Sequence, residues 1–185
     1  MRIVVLLNGS ESCPDRTPSE KEVSATDAGL DGDERSVLEI SRFYFMSFAS
    51  PDSHAWMVAI GRARNRFAES AAPSIAVSIL EAVQSMRCSR ISTYIFNSPT
   101  CPCCSEILSE HERQFIGILV ATRCQRRSEA HTHAMLLCEG NPVEDLLERM
   151  EALAKLLGPR SEPIEPARFL PVQRQEESML GRERS

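Results

Sequence analysis

Apolar positions between Val37 and Leu157 fall into a succession of runs with different spacing. Val37 to Phe48, with Leu38, Ile40, Phe43, Phe45 and Phe48, is aromatic-rich and predicts a strand. Pro51-Asp52-Ser53 is a helix-start signal, so His54 to about Ser70 should be helical, and Pro73-Ser74 opens a second helix with Ile75, Ile79, Ala82, Val83 and Met86 on one face. Ile91 to Phe96 is β-branched and aromatic, a short buried strand bounded by Asn97-Ser98-Pro99. A helix is expected from Cys104 to about Gln114, then a second buried strand over Ile116 to Thr122. Ser128 to Cys138 reads as a helix ended by Gly140. Asn141-Pro142 then opens the most regular helix, where Val143, Leu146, Leu147, Met150, Leu153 and Leu157 recur at helical spacing. Strands alternating with helices predict an α/β layered fold with its central strands covered on both faces.

Composition divides the chain of 185 residues into three parts. Residues 1–36 form a mostly disordered acidic segment by this reading, because from Asn8 onward they offer almost no large apolar group to offset the entropy of ordering. Residues 37–157 form the folded domain, and residues 158–185, rich in Pro, Arg and Glu, form an extended tail. The formal net charge of −5 excludes a generally basic nucleic-acid coat. No apolar run reaches the roughly 18 residues of a membrane span. The apolar start Ile3 to Leu7 is shorter than the roughly 7–15 residues of a secretory core, so an intracellular protein of cytoplasm or nucleus is expected.

Seven cysteines are an odd number, which in such a setting points to metal or redox chemistry ahead of a disulfide framework. Three of them cluster in Cys101-Pro102-Cys103-Cys104, between a predicted strand and a predicted helix. Cys101 and Cys104 have the Cys-x-x-Cys spacing that turns two sulfurs toward one ion or toward each other, while Cys103 is expected to pack as a small apolar residue. His54, also at a predicted helix start, is the candidate third ligand. His54, Cys101 and Cys104 would leave a fourth position on zinc open for water.

Ser53-His54-Ala55, the strand Ile91 to Phe96 running into Asn97-Ser98-Pro99, the cysteine pair, and the segment Ile118 to Arg123 followed by Glu129 to Cys138 together resemble the zinc-dependent cytidine deaminase superfamily, in particular its AID/APOBEC-like branch. The resemblance covers about residues 37–157. It implies a three-layer α/β/α mixed sheet, zinc as cofactor, hydrolytic loss of ammonia from cytosine, and single-stranded DNA or RNA, or free cytidine, as partner. Trp56 stands where that family has its proton-shuttling glutamate, and an indole cannot transfer protons as a carboxylate does. Glu69 and Glu106 are conceivable substitutes, and Arg123, Arg126 and Arg127 are where phosphates would be met.

The strand, cysteine turn and helix also look like a glutaredoxin or thioredoxin site, with Cys101 as nucleophile and Cys104 as its partner in thiol–disulfide exchange. A third class is a noncatalytic binding or scaffold protein using the Leu-rich helix of residues 143–157. His131 and His133, two residues apart on a helix, face different sides and are not expected to share a metal.

Overall fold

The computed structural model describes residues 3–6, 18–19 and 21–160. Its elements in chain order are β1 (Ile3–Leu6), β2 (Val23–Ser24), α1 (Gly32–Ala49), a 3-10 turn (Pro51–Ser53), α2 (Ala55–Arg66), α3 (Ala72–Ser89), β3 (Tyr94–Asn97), α4 (Pro102–Ser105), β4 (Ile107–Leu108), α5 (Glu110–Arg123), α6 (Arg127–Leu137) and α7 (Glu144–Leu157). The expected three-layer α/β/α mixed sheet is therefore wrong. Among the described residues the only sheets are two-stranded: β1 pairs parallel with β3, Ile3 opposite Tyr94, and β2 pairs antiparallel with β4, Val23 opposite Leu108. The rest of the described residues form a helical assembly, and none of the described helices is long and apolar enough to cross a membrane.

Two predicted strands are helices, for one physical reason. In α1 every residue from Ser36 to Phe45 except the partly buried Glu39 is buried, and in α5 the run from Gln114 to Ala121 is buried without a break. A helix enclosed on all sides has no polar face, so its apolar run lacks the 3.6-residue stripe and reads like a covered strand. What specifies helix is the cap. Asp31 accepts from the Glu34 amide at 2.8 Å while Glu34 accepts from the Asp31 amide at 3.0 Å. Ser109 and Glu112 repeat this reciprocal box at the start of α5. The predicted helices over 54–70, about 73–86, 128–138 and 143–157 correspond to α2, α3, α6 and α7, each of which keeps a polar face.

The acidic segment and the tail meet at these caps. Residues 23–31 carry β2, a turn and the Asp31 cap, so order reaches into the segment read as disordered. Arg123, buried at the end of α5, donates to Asp31 at 2.7 Å, to Glu34 at 3.0 Å and to the Gly158 carbonyl at 3.0 Å. Arg160 adds a bond to Glu34 at 2.8 Å. Arg123 is thus spent on the fold, and Arg126 pairs with Glu129 at 2.7 Å. The remainder of the tail lies outside the described residues.

The core centres on Phe45, whose ring lies 4.4 Å from Tyr94, 5.5 Å from Phe96 and 5.6 Å from Phe115 by centroid. Along α2 the small residues Ala55, Ala59 and Ala63 form the buried stripe that lets this helix lie close against α1. The apolar side of α7 is largely core: Leu146, Met150 and Leu153 are buried, while Leu156 is exposed.

Between α5 and α6 the packing is tightest at Gly117. A Cβ there would stand 3.0 Å from two atoms of the His133 ring, which is fully buried and bonded through Nδ1 to Gln114 at 2.6 Å. Gly117→Ala should therefore destabilise by about 1 kcal/mol net, the overpacking cost exceeding the helix-propensity gain; unchanged or raised stability in urea unfolding would contradict the packing. Burial, reinforced by the charges of Arg113 and Arg126, lowers the His133 pKa to about 4. The unfolded chain then binds the extra proton between about pH 6.5 and 4, so stability should fall across that window by about 3 kcal/mol from this ring. Urea unfolding at several pH values should show a shallower acid loss for His133→Gln than for the parent, and equal slopes would refute the assignment.

Candidate functional site

The cysteine turn hangs from a buried polar knot. Arg42, near the middle of α1 and only 2% exposed, is bonded to Glu112 of α5 through Nε at 2.6 Å and through Nη2 at 3.1 Å. The same guanidinium donates to the carbonyls of Ser105 and Ile107, each at 2.6 Å. Glu112 also accepts from the amides of Asn97 at 3.2 Å and Ser109 at 2.8 Å. Asn97 closes the circuit, its side-chain amide donating to the Ile107 carbonyl at 2.9 Å. Both ends of the segment from Ser98 to Glu106 are therefore tied to one ion pair, and the segment between them carries Cys101, Cys103 and Cys104. Buried charges persist only when paired and hydrogen-bonded, and here the chain's own carbonyls and amides complete the pairing.

Within that segment the expected long helix from Cys104 to Gln114 is broken into one turn, α4, the bridge strand β4, and only then α5. Cys101 is the extended residue preceding α4 and Pro102 its first helical position, where the missing N–H costs nothing. The Ser105 amide donates to the Cys101 carbonyl at 2.9 Å, so residues 101 to 105 span a single helical turn on which positions three apart are neighbours. Burial differs along it. Cys104 is 2% exposed, whereas Cys101 and Cys103 are half-buried. The expectation of a packed Cys103 is met instead by Cys104.

His54 lies on a different element, between the 3-10 turn and α2. It follows the 3-10 turn with a left-handed backbone (φ 49°) and is exposed at the start of α2. Among the described residues no group of three or more His, Cys, Asp or Glu side chains is placed to hold a metal ion, so the structure does not bring His54, Cys101 and Cys104 together as a three-ligand group. The zinc expectation rests on the sequence alone. Trp56 is 46% exposed and lines an apolar groove of about 440 Å³ with Phe48, Ile60 and Leu80. Glu69 is exposed beside Arg64 and Asn65 near the end of α2. His131 is exposed and His133 buried, in keeping with their two faces.

A polar cavity of about 370 Å³ lies beside the cysteine turn. Its walls include Arg35, Glu39 and Arg66 together with Pro99, Ser105 and Glu106 from the ends of the turn. Sequence reasoning missed Arg35, Arg42 and Glu112. Ser109-x-x-Glu112 is a legible capping box, and an arginine inside the apolar run from Val37 to Phe48 was the available sign of a buried ion pair.

A second buried cluster supports β3. The Ile95 amide donates to His111 Nδ1 at 2.9 Å, and Arg90 faces Nε2 at 3.1 Å. Burial and the Arg90 charge both lower the His111 pKa, which keeps this ring neutral as an acceptor.

Removing one member of the knot should cost far more than its hydrogen bonds. Glu112→Gln leaves the Arg42 charge buried without its counter-ion and is expected to destabilise by about 3 kcal/mol or more. A urea midpoint within error of the parent would show that the pair does not anchor the fold.

The chain matches no family model, no curated protein and no solved structure.

Proposed function

We propose that this protein carries a dithiol that exchanges with disulfides, with Cys101 as the attacking sulfur and Cys104 as the resolving one. The observation that carries this reading is the exposure difference across one helical turn: Cys101 is half-buried, within reach of a second molecule, and Cys104 is almost wholly covered. An exchange site needs that asymmetry, because the first thiolate must meet an external disulfide and the second must meet only the first. The tethered ends of the turn supply the other requirement, a fixed spacing between the two sulfurs. The reading concerns the chemistry of the turn and takes no support from a glutaredoxin or thioredoxin sheet, since the described residues are mostly helical.

The reaction balances without a cofactor. Cys101 thiolate attacks one sulfur of R–S–S–R, the S–S bond breaks, and R–S⁻ leaves and takes up a proton. Cys104 thiolate then attacks Cys101 Sγ, expels the second R–S⁻, and closes the Cys101–Cys104 bond. One external disulfide is reduced to two thiols while two protein thiols are oxidised to one disulfide.

Cytosine deamination on zinc, the reaction implied by the family resemblance, would lack its proton-shuttling carboxylate, since Trp56 stands at that position and lines an apolar groove.

Incubation with hydroxyethyl disulfide followed by peptide mapping tests the proposal. The parent should lose two hydrogens between Cys101 and Cys104 without retaining an adduct. Cys104→Ser should instead accumulate a stable mixed disulfide on Cys101. An adduct that persists on Cys101 of the parent, or no modification of Cys101 in either protein, overturns the exchange role.

A further inference from the structure

The cavity beside the cysteine turn is lined by two opposite charges that have no counter-ion among the described residues. Arg35 extends from α1 and donates only to backbone carbonyls, Leu30 at 3.2 Å and Ala25 at 3.5 Å, and among the described residues no carboxylate pairs with it. Glu106 ends the turn and lines the same cavity. Its backbone carbonyl accepts from Ala25 at 2.8 Å, while its carboxylate makes no ion pair or hydrogen bond among the described residues. Their neighbours are already engaged: Arg42 by Glu112, and Arg66 by Glu39 at 3.6 Å. One cation and one anion without a counter-ion among the described residues thus line a space of about 370 Å³, within the range of small-molecule sites, whose wall includes residues flanking Cys101 and Cys104.

We infer that this cavity binds the α-amino-acid head of a small disulfide, Arg35 taking the α-carboxylate and Glu106 the α-ammonium. A group carrying both charges satisfies both side chains at once, whereas a simple anion would leave Glu106 opposed and a simple cation would leave Arg35 opposed. The guanidinium suits a carboxylate because its planar N–H groups can meet both oxygens. The assignment rests on the exchange chemistry proposed above and names its substrate class: the disulfide of a thiol-bearing amino acid. Binding the head in the cavity would hold the adjoining S–S bond near the turn for attack by Cys101, with the balance of atoms and electrons already given.

Three disulfides separate the possibilities: cystine, with both charges on each half; cystamine, with the ammonium alone; and uncharged hydroxyethyl disulfide. The parent should oxidise fastest with cystine at equal concentration. Arg35→Gln should slow the cystine reaction about tenfold, the equivalent of roughly 1.4 kcal/mol, and leave the hydroxyethyl disulfide rate unchanged. Glu106→Gln should slow cystine and cystamine but not hydroxyethyl disulfide. Both residues are exposed, and unchanged urea midpoints would confirm that the variants fold. Equal rates for all three disulfides with the parent, or charge variants that slow all three alike, overturn the substrate assignment while the exchange reaction stands. Failure of every disulfide to oxidise Cys101 and Cys104 overturns the exchange reading, and the substrate class with it.

Discussion

The bond between Arg42 and Glu112 is the constraint on which the rest of the structure depends. It joins the central helix α1 to the start of α5, and through the carbonyls of Ser105 and Ile107 and the amides of Asn97 and Ser109 it also fixes the two ends of the cysteine turn. A buried guanidinium presents five donors, and a nearby carboxylate satisfies only part of that set. The carbonyls that complete it come from the segment bearing the candidate chemistry. Core formation and placement of the thiols are consequently one event, since Arg42 cannot enter the interior unless the turn folds over it.

The same device recurs at the start of α1. Arg123 and Arg160 converge on Asp31 and Glu34, which are themselves the capping box of that helix. Burial raises the Glu34 pKa, with the bond from Arg160 and the backbone bond from Asp31 opposing that rise. Helix α1 is in this way held at its first turn and again near its middle by arginines on either side of an ion pair. Just beyond Arg42 the Phe45 ring of the same helix meets Tyr94, Phe96 and Phe115.

Legibility in the sequence followed exposure. Helices α2, α3, α6 and α7 face solvent on one side, and their polar faces made the helical period visible. The interiors of α1 and α5 contact protein on every side, so Phe43, Tyr44 and Phe45, or Ile116 to Val120, carried no period to read. The cysteine turn was visible as a cluster with the right spacing between a strand and a helix, and β3 and α4 lie there. The position of His54 relative to that turn was not visible, because it depends on how the α1–α2 hairpin packs and not on local sequence. The charges of Arg35 and Glu106 were equally hidden: 71 positions apart in the chain, they become informative only when they line one cavity and neither has a counter-ion among the described residues.

The most direct measure of the central claim is the alkylation rate of each cysteine in the native, reduced protein, read by peptide mapping after short exposure to iodoacetamide. With the turn pinned as described, Cys101 should react many times faster than Cys104, and Glu112→Gln should erase the difference by releasing the turn. Equal rates at the two sulfurs in the parent, or a difference that survives in the variant, would contradict the account.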